Sequence, residues 1–183
     1  MVFASNNKGK LKEIRSILGD DVKSLEDVFI DVEVLEDGET FYDNALKKAK
    51  EIYELCHEEV IADDSGLCID YLDGFPGVTT ARFLGEDATS EDRNKYIIDK
   101  LDGISNRKCQ VVCELVYYDG ERVISSKGII DGTITLSPRG ENGFGFDPIV
   151  ELLDGRTLAE LSSEEKNKIS ARYLAVKQLK SMI

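Results

Sequence analysis

Short apolar runs alternate with amphipathic stretches along the whole chain. Val2-Phe3-Ala4 is a strand signal; polar Ser5 to Lys10 follows, and Leu11, Ile14 and Leu18 then recur at helical spacing. A second helix is predicted where Phe41, Ala45, Ala49, Ile52, Tyr53 and Cys56 repeat with a 3.6-residue period, with Thr40 as its N-cap. Val60-Ile61-Ala62 reads as a short buried strand that ends on Asp63-Asp64-Ser65-Gly66, before Leu67-Cys68-Ile69 resumes apolar character. Ser90 introduces a helical stretch carrying Tyr96, Ile97, Ile98 and Leu101, stopped by Asp102-Gly103. From Lys108 to Tyr118 the residues Cys109, Val111, Cys113, Leu115 and Tyr117 alternate onto one face. Asp119-Gly120 then turns the chain into Val123-Ile124 and on toward Ile129-Ile130, which predicts a β-hairpin. Ser137 to Pro148, broken by glycine and proline around Phe144 and Phe146, reads as an ordered loop. Ser162 to Glu165 has the spacing of a capping box and Ser170 that of a second cap, so one or two helices close the chain. Strands mixed with helices, without an internal repeat, predict an α/β domain on a mixed sheet.

Composition narrows the partners. The 183 residues suit one domain, 1–183, and 42% hydrophobic with 32% charged residues lies in the globular range. With 23 basic and 36 acidic residues the net charge is −13, which disfavours nucleic-acid polymers and anionic membranes as partners. A small anionic substrate remains compatible, because local lysines or a carboxylate-held cation reverse the field inside one cleft. The N-terminal residues run straight into polar Ser5-Asn6-Asn7, and no apolar run approaches the roughly 20 residues of a membrane span, so a cytoplasmic setting is expected. Cys56, Cys68, Cys109 and Cys113 form no C-x-x-C pair and are expected to be buried thiols. With a single His, His57, the zinc-ligand spacing is also lacking, and His57 is expected at a helix end or on the surface.

Four stretches look chemical, and each has a plainer reading. Ser5-Asn6-Asn7-Lys8-Gly9-Lys10 stands between strand and helix, where unpaired N–H groups and two ammonium groups suit phosphate; a solvated turn explains the bare pattern as well. In Asp63-Asp64-Ser65-Gly66 one carboxylate suits a hard cation such as Mg²⁺ while its neighbour orients the loop, and an Asx-turn is the alternative. Leu35-Glu36-Asp37-Gly38-Glu39 offers another metal carboxylate or is a plain acidic turn. Gly143-Phe144-Gly145-Phe146-Asp147-Pro148, with Lys166 and Arg172 downstream, offers faces that stack on bases and donors for oxygens, or simply core aromatics and a solvated helix face.

Taken together, the order and wording of these motifs resemble the inosine triphosphatase family, the non-canonical purine nucleoside triphosphate pyrophosphatases. The resemblance covers nearly the whole chain. It rests on Ala4 to Lys10 with Glu13, Ala62 to Leu67, Gly74-Phe75-Pro76-Gly77-Val78 with Ala81-Arg82, Gly143 to Pro148, Ala159-Glu160-Leu161, Glu165-Lys166-Asn167 and Ser170. It implies a two-lobed α/β domain around an elongated mixed β-sheet with a central cleft, a homodimer, and Mg²⁺-dependent cleavage of ITP, dITP or XTP to the monophosphate and pyrophosphate. By the same resemblance Ser5, Asn6, Asn7, Lys8, Gly9 and Lys10 cradle the triphosphate, and Lys48 reaches the same phosphates. Glu36 and Asp64 hold Mg²⁺, and Asp64 is also the general base on water. Ser65 contacts substrate, Phe144, Gly145, Phe146 and Asp147 form the base-side loop, and Lys166 and Arg172 donate to the nucleotide. A guanidinium facing a 6-oxo group would meet adenine's 6-amino group donor to donor and so reject ATP.

One departure stands out: the family usually places His before this arginine, and here the position is Ala171, so altered or looser base discrimination is expected. Two other readings remain. A septum-formation-type pyrophosphatase would cleave pyrimidine or modified nucleoside triphosphates on a similar fold; the base loop and Glu165-Lys166-Asn167 argue against it. A non-catalytic nucleotide-binding regulatory module would not need both Glu36 and Asp64.

Overall fold

The structure, a computed structural model, describes residues 1–85 and 87–183. Its strands are β1 (Val2–Phe3), β2 (Val60–Ile69), β3 (Lys108–Tyr118), β4 (Val123–Ile134) and β5 (Val150–Glu151). They are hydrogen-bonded in the order β1-β2-β3-β4-β5. β1 runs parallel to β2, with Val2 opposite Val60, and β5 runs antiparallel to β4, so the sheet is mixed as expected. The helices are α1 (Lys8–Leu18), α2 (Phe41–Cys56), α3 (Ser90–Lys100), α4 (Ser163–Lys166) and α5 (Ala171–Lys180).

The caps are where local chemistry is clearest. Thr40 and Asp43 exchange side-chain and backbone bonds in a reciprocal capping box that starts α2 where the sequence places it, and Thr89 with Asp92 does the same for α3. Ser162 and Glu165 form the expected box, and Ser170 Oγ accepts from Tyr173 N–H to start α5. His57 closes α2 in the left-handed region, a helix-end role.

Two compact units divide the chain. The first comprises Met1–Ser65, Cys113–Ile129 and Ser170–Ile183. Its core joins Val2 and Ala4 of the β1 segment, Ala45, Ala49 and Ile52 of α2, Val60 and Ala62 of β2, and Val116 of β3. Each fully buried valine or isoleucine among them contributes about 1.5–3 kcal/mol over leaving it in water. α5 lies so close to β4 that a Cβ at Gly128 would overlap the Ala171 carbonyl oxygen, and Ser126 Oγ donates to the Ala175 carbonyl at 2.9 Å. The second unit, Gly66–Val112 with Ile130–Ile169, is built around Leu67, Ile69, Ile97, Leu101, Ile134, Ile149 and Leu161. Phe75, Phe83, Tyr96 and Phe146 pack against that core.

Three sequence expectations need correction. β2 does not end at Ala62 but runs unbroken through Asp63 and Asp64 to Ile69, because the buried carboxylates find cationic and amide partners within the fold. β3 is not one-faced: Val112 and Val116 are buried along with Cys109, Cys113, Leu115 and Tyr117, since both faces are covered. Of the four thiols only Cys109 and Cys113 are buried, Cys56 and Cys68 being half-buried; all four are free.

Candidate functional site

In the first unit the polar cluster is built on the end of β1, the start of α1, the inward face of α2 and the middle of β2. Asn7 caps α1, its Oδ1 accepting from Lys10 N–H at 3.0 Å, while Asn7 N–H donates to Ser5 Oγ at 3.2 Å. This leaves the α1 start ordered, with Asn6 and Lys8 exposed on the wall of a cavity of about 590 Å³ and Gly9 in the first turn. Lys10 reaches inward instead, its Nζ lying 3.1 Å from Asp63 Oδ2.

Asp63 is wholly buried and central. Its Oδ2 accepts from Arg172 Nη2 at 2.8 Å and Nε at 3.3 Å and from Ser65 Oγ at 3.2 Å, while its carbonyl oxygen accepts from Lys48 Nζ at 2.5 Å. Burial alone would raise its pKa, but the Lys10, Arg172 and Lys48 charges win and hold the carboxyl well below the ordinary carboxylate range. Arg172, itself buried, also donates through Nη1 to Glu13 Oε2 and through Nη2 to Ser65 Oγ at 3.1 Å. Four of its five N–H groups are thus engaged, and one on Nη1 has no partner among the described residues. Burial works against the guanidinium charge, but Asp63 and Glu13 outweigh it and raise the pKa.

Asp64 faces the other side of β2, as alternation along a strand requires. Its Oδ1 accepts Ser65 N–H at 2.9 Å and its Oδ2 accepts Asn44 Nδ2 at 2.8 Å. Burial raises its pKa and the Glu36 charge adds to that, against opposing contributions from Lys48, Asn44 and Lys10. Lys48 Nζ donates to Glu36 Oε1 as well as to the Asp63 carbonyl. Although burial opposes its charge, Asp63, Glu36 and Asp64 raise its pKa and keep it an ammonium. The cluster therefore sets lysine donors beside oxygen-only acceptors, an arrangement that can hold phosphate and a hard cation. No group of three or more His, Cys, Asp and Glu residues lies close enough to hold an ion by itself among the described residues.

In the second unit the glycine–aromatic loop is organised by Asp147. Its Oδ2 accepts Phe144 N–H at 2.8 Å and Lys166 Nζ at 2.5 Å, and a Cβ at Gly143 would overlap that oxygen. Gly143, at φ +78°, is there because nothing larger fits. The Lys166 ammonium also sits 4.3 Å from the centre of the Phe144 ring, a cation–π contact. Phe146 stacks on Phe83 at 6.1 Å, and the Gly145 carbonyl accepts Asn94 Nδ2 at 3.1 Å.

Within the first unit the fold thus gathers Lys10, Glu36, Lys48, Asp64, Ser65 and Arg172; within the second it gathers Phe144, Gly145, Phe146, Asp147 and Lys166. Sequence reasoning missed Asn44. The signal was a polar residue on the otherwise apolar inward stripe of α2.

Residues 1–182 match the Ham1 family. The dITP/XTP pyrophosphatase of Bacillus licheniformis is 42% identical over all of this chain and 97% of its own length, and that of Bacillus subtilis is 42% identical over all of this chain and 96% of its own. Among solved structures, the Staphylococcus aureus Ham1 protein superposes with a TM-score of 0.89 at 36% identity, covering 99% of this chain and 96% of that one. A HAM1 protein from Coxiella burnetii gives 0.90 at 34%, with the same coverage. Similarity over the whole sequence and the whole fold makes this chain a member of the Ham1 family.

Proposed function

We propose that this protein hydrolyses non-canonical purine nucleoside triphosphates, dITP, ITP and XTP, to the monophosphate and pyrophosphate. It is a hydrolase acting on acid anhydrides. The observation that carries the reading is the pairing of two carboxylates, buried Asp64 and half-buried Glu36, with the ammonium groups of half-buried Lys10 and buried Lys48 in one cluster. It occurs in a chain about 40% identical along its whole length to proteins named for this reaction, rather than for either alternative.

The donor set fits Mg²⁺. Glu36 and Asp64 offer only carboxylate oxygens; burial first and the Glu36 charge after it push the Asp64 pKa up, and a bound cation would favour the ionised form of both. Two carboxylates suffice where phosphate oxygens and water complete the shell. Bound there, Mg²⁺ supplies charge neutralisation on the phosphates and orients their oxygens.

Lys10 and Lys48 donate to the triphosphate, with the Ser5 to Gly9 turn and Ser65 as further contacts. Asp64 accepts the proton of the attacking water. The unengaged Nη1 N–H of Arg172 is the donor for a 6-oxo group, and the Phe144 to Asp147 loop with Lys166 serves the base side. The enzyme works as a homodimer in the cytoplasm; a light-scattering mass of a single chain would remove the dimer. No helix of the described residues is long and apolar enough to cross a membrane.

Pyrophosphate release from ITP, XTP, GTP, ATP, dTTP and UTP, with Mg²⁺ and with chelator, tests the proposal. Metal-dependent release led by ITP and XTP is expected. Release led by pyrimidines would point to the septum-formation type, and tight binding without release to a regulatory module. Asp64→Asn should keep nucleotide binding while turnover falls by orders of magnitude.

A further inference from the structure

Asn44 lies on the inward face of α2 and is wholly buried. A buried primary amide is costly unless both ends are satisfied, and here they are satisfied by two different segments. Its Oδ1 accepts Gly38 N–H at 2.8 Å, and its Nδ2 donates to Asp64 Oδ2 at 2.8 Å. A backbone N–H can only donate, so Gly38 dictates which end of the amide it meets, and the NH₂ group is thereby turned to Asp64. With Ser65 N–H on the other oxygen at 2.9 Å, the Asp64 carboxylate is held by one donor on each oxygen. Gly38 is two residues from Glu36, and a Cβ there would come within 2.7 Å of Asn44 Oδ1, so the segment carrying Glu36 is seated tightly on the same amide.

We propose that Asn44 is a positioning residue that sets the Asp64 carboxylate in register with Glu36, through one amide bonded to both segments. The inference rests on reading Asp64 and Glu36 as the carboxylates that serve metal and water. Asn44 itself touches neither substrate nor ion. Partners behind metal-binding carboxylates typically govern metal affinity by about 10–100-fold, and a displacement of about 1 Å at a reacting centre costs on the order of 100-fold in rate.

Two substitutions separate this role from simple packing. Asn44→Ala removes both bonds; Asn44→Asp keeps an acceptor for Gly38 N–H and removes the donor to Asp64. Mn²⁺ alone, titrated into nucleotide-free protein, should bind about 10–100-fold more weakly to Asn44→Ala than to wild type. With ITP, kcat should fall about 100-fold in both variants while KM stays within about threefold. Asn44→Asp sets a second carboxylate against Asp64 and should melt below wild type by circular dichroism; whichever of the two variants is folded at the assay temperature carries the test. Wild-type kcat in Asn44→Asp would overturn the proposal, as would an Asn44→Ala defect confined to KM with Mn²⁺ binding unchanged. If wild type releases no pyrophosphate from ITP or XTP, the underlying functional reading falls instead, and this inference with it.

Discussion

Asp63→Asn tests whether the buried charge cluster is held together as the geometry indicates. The substitution keeps the shape of the side chain and removes its charge. Three charge-assisted contacts are weakened, to Arg172 Nη2 at 2.8 Å, to Arg172 Nε at 3.3 Å and to Lys10 Nζ at 3.1 Å. The new NH₂ group must also take the place of an oxygen, and Asp63 Oδ1 is a buried position with no hydrogen-bond partner among the described residues. Breaking a buried ion pair costs about 3–5 kcal/mol. Arg172 keeps Glu13, and the Lys10 side chain, 16% exposed, can turn to water, so the lower end applies. About 3 kcal/mol then lowers the Tm of a chain this long by roughly 6–12 °C. The gap should narrow in acid. Asp63 titrates below the ordinary carboxylate range in the fold but near 3.9 unfolded, so its stabilisation is complete above about pH 5 and shrinks progressively as the pH falls below about 4. Paired thermal melts of wild type and variant from pH 7 to pH 3 provide the check. A Tm difference under about 2 °C at pH 7, or one that stays constant into acid, would refute the reasoning.

Other expectations follow from single contacts. Gly128→Ala should lose about 1–3 kcal/mol, because the added methyl collides with backbone of α5 rather than with a movable side chain, and chemical denaturation reads it directly. Cys109 and Cys113, whose thiols burial pushes up to about 12, should resist iodoacetamide at pH 8 in the native protein and react only after unfolding; peptide mass mapping distinguishes the two states. Ala171→His should sharpen the preference for ITP over GTP, measured as a ratio of kcat/KM. An unchanged ratio would remove residue 171 from base selection.

The sequence by itself determined the local beginnings and the class. Thr40 with Asp43, Ser162 with Glu165, and Ser170 start α2, α4 and α5 where their spacing says they must, because a cap is satisfied by backbone only two or three residues away. The alternation of short apolar runs with amphipathic helices carried the α/β class, and motif order carried the family. What only the tertiary structure decided is how the acids survive burial. Asp63 and Asp64 look like a turn because, within their own segment, nothing offsets their desolvation; the fold brings Lys10 from α1, Lys48 and Asn44 from α2 and, from 109 residues away, Arg172 on α5. Those partners let β2 continue through the pair, orient one carboxylate toward a cation cluster and the other toward an amide. Asn44 was invisible for the same reason: its meaning lies in Gly38 and Asp64, and Asp64 is 20 residues away along the chain. Electrostatic compensation in a protein interior acts through space, and a linear reading sees only neighbours.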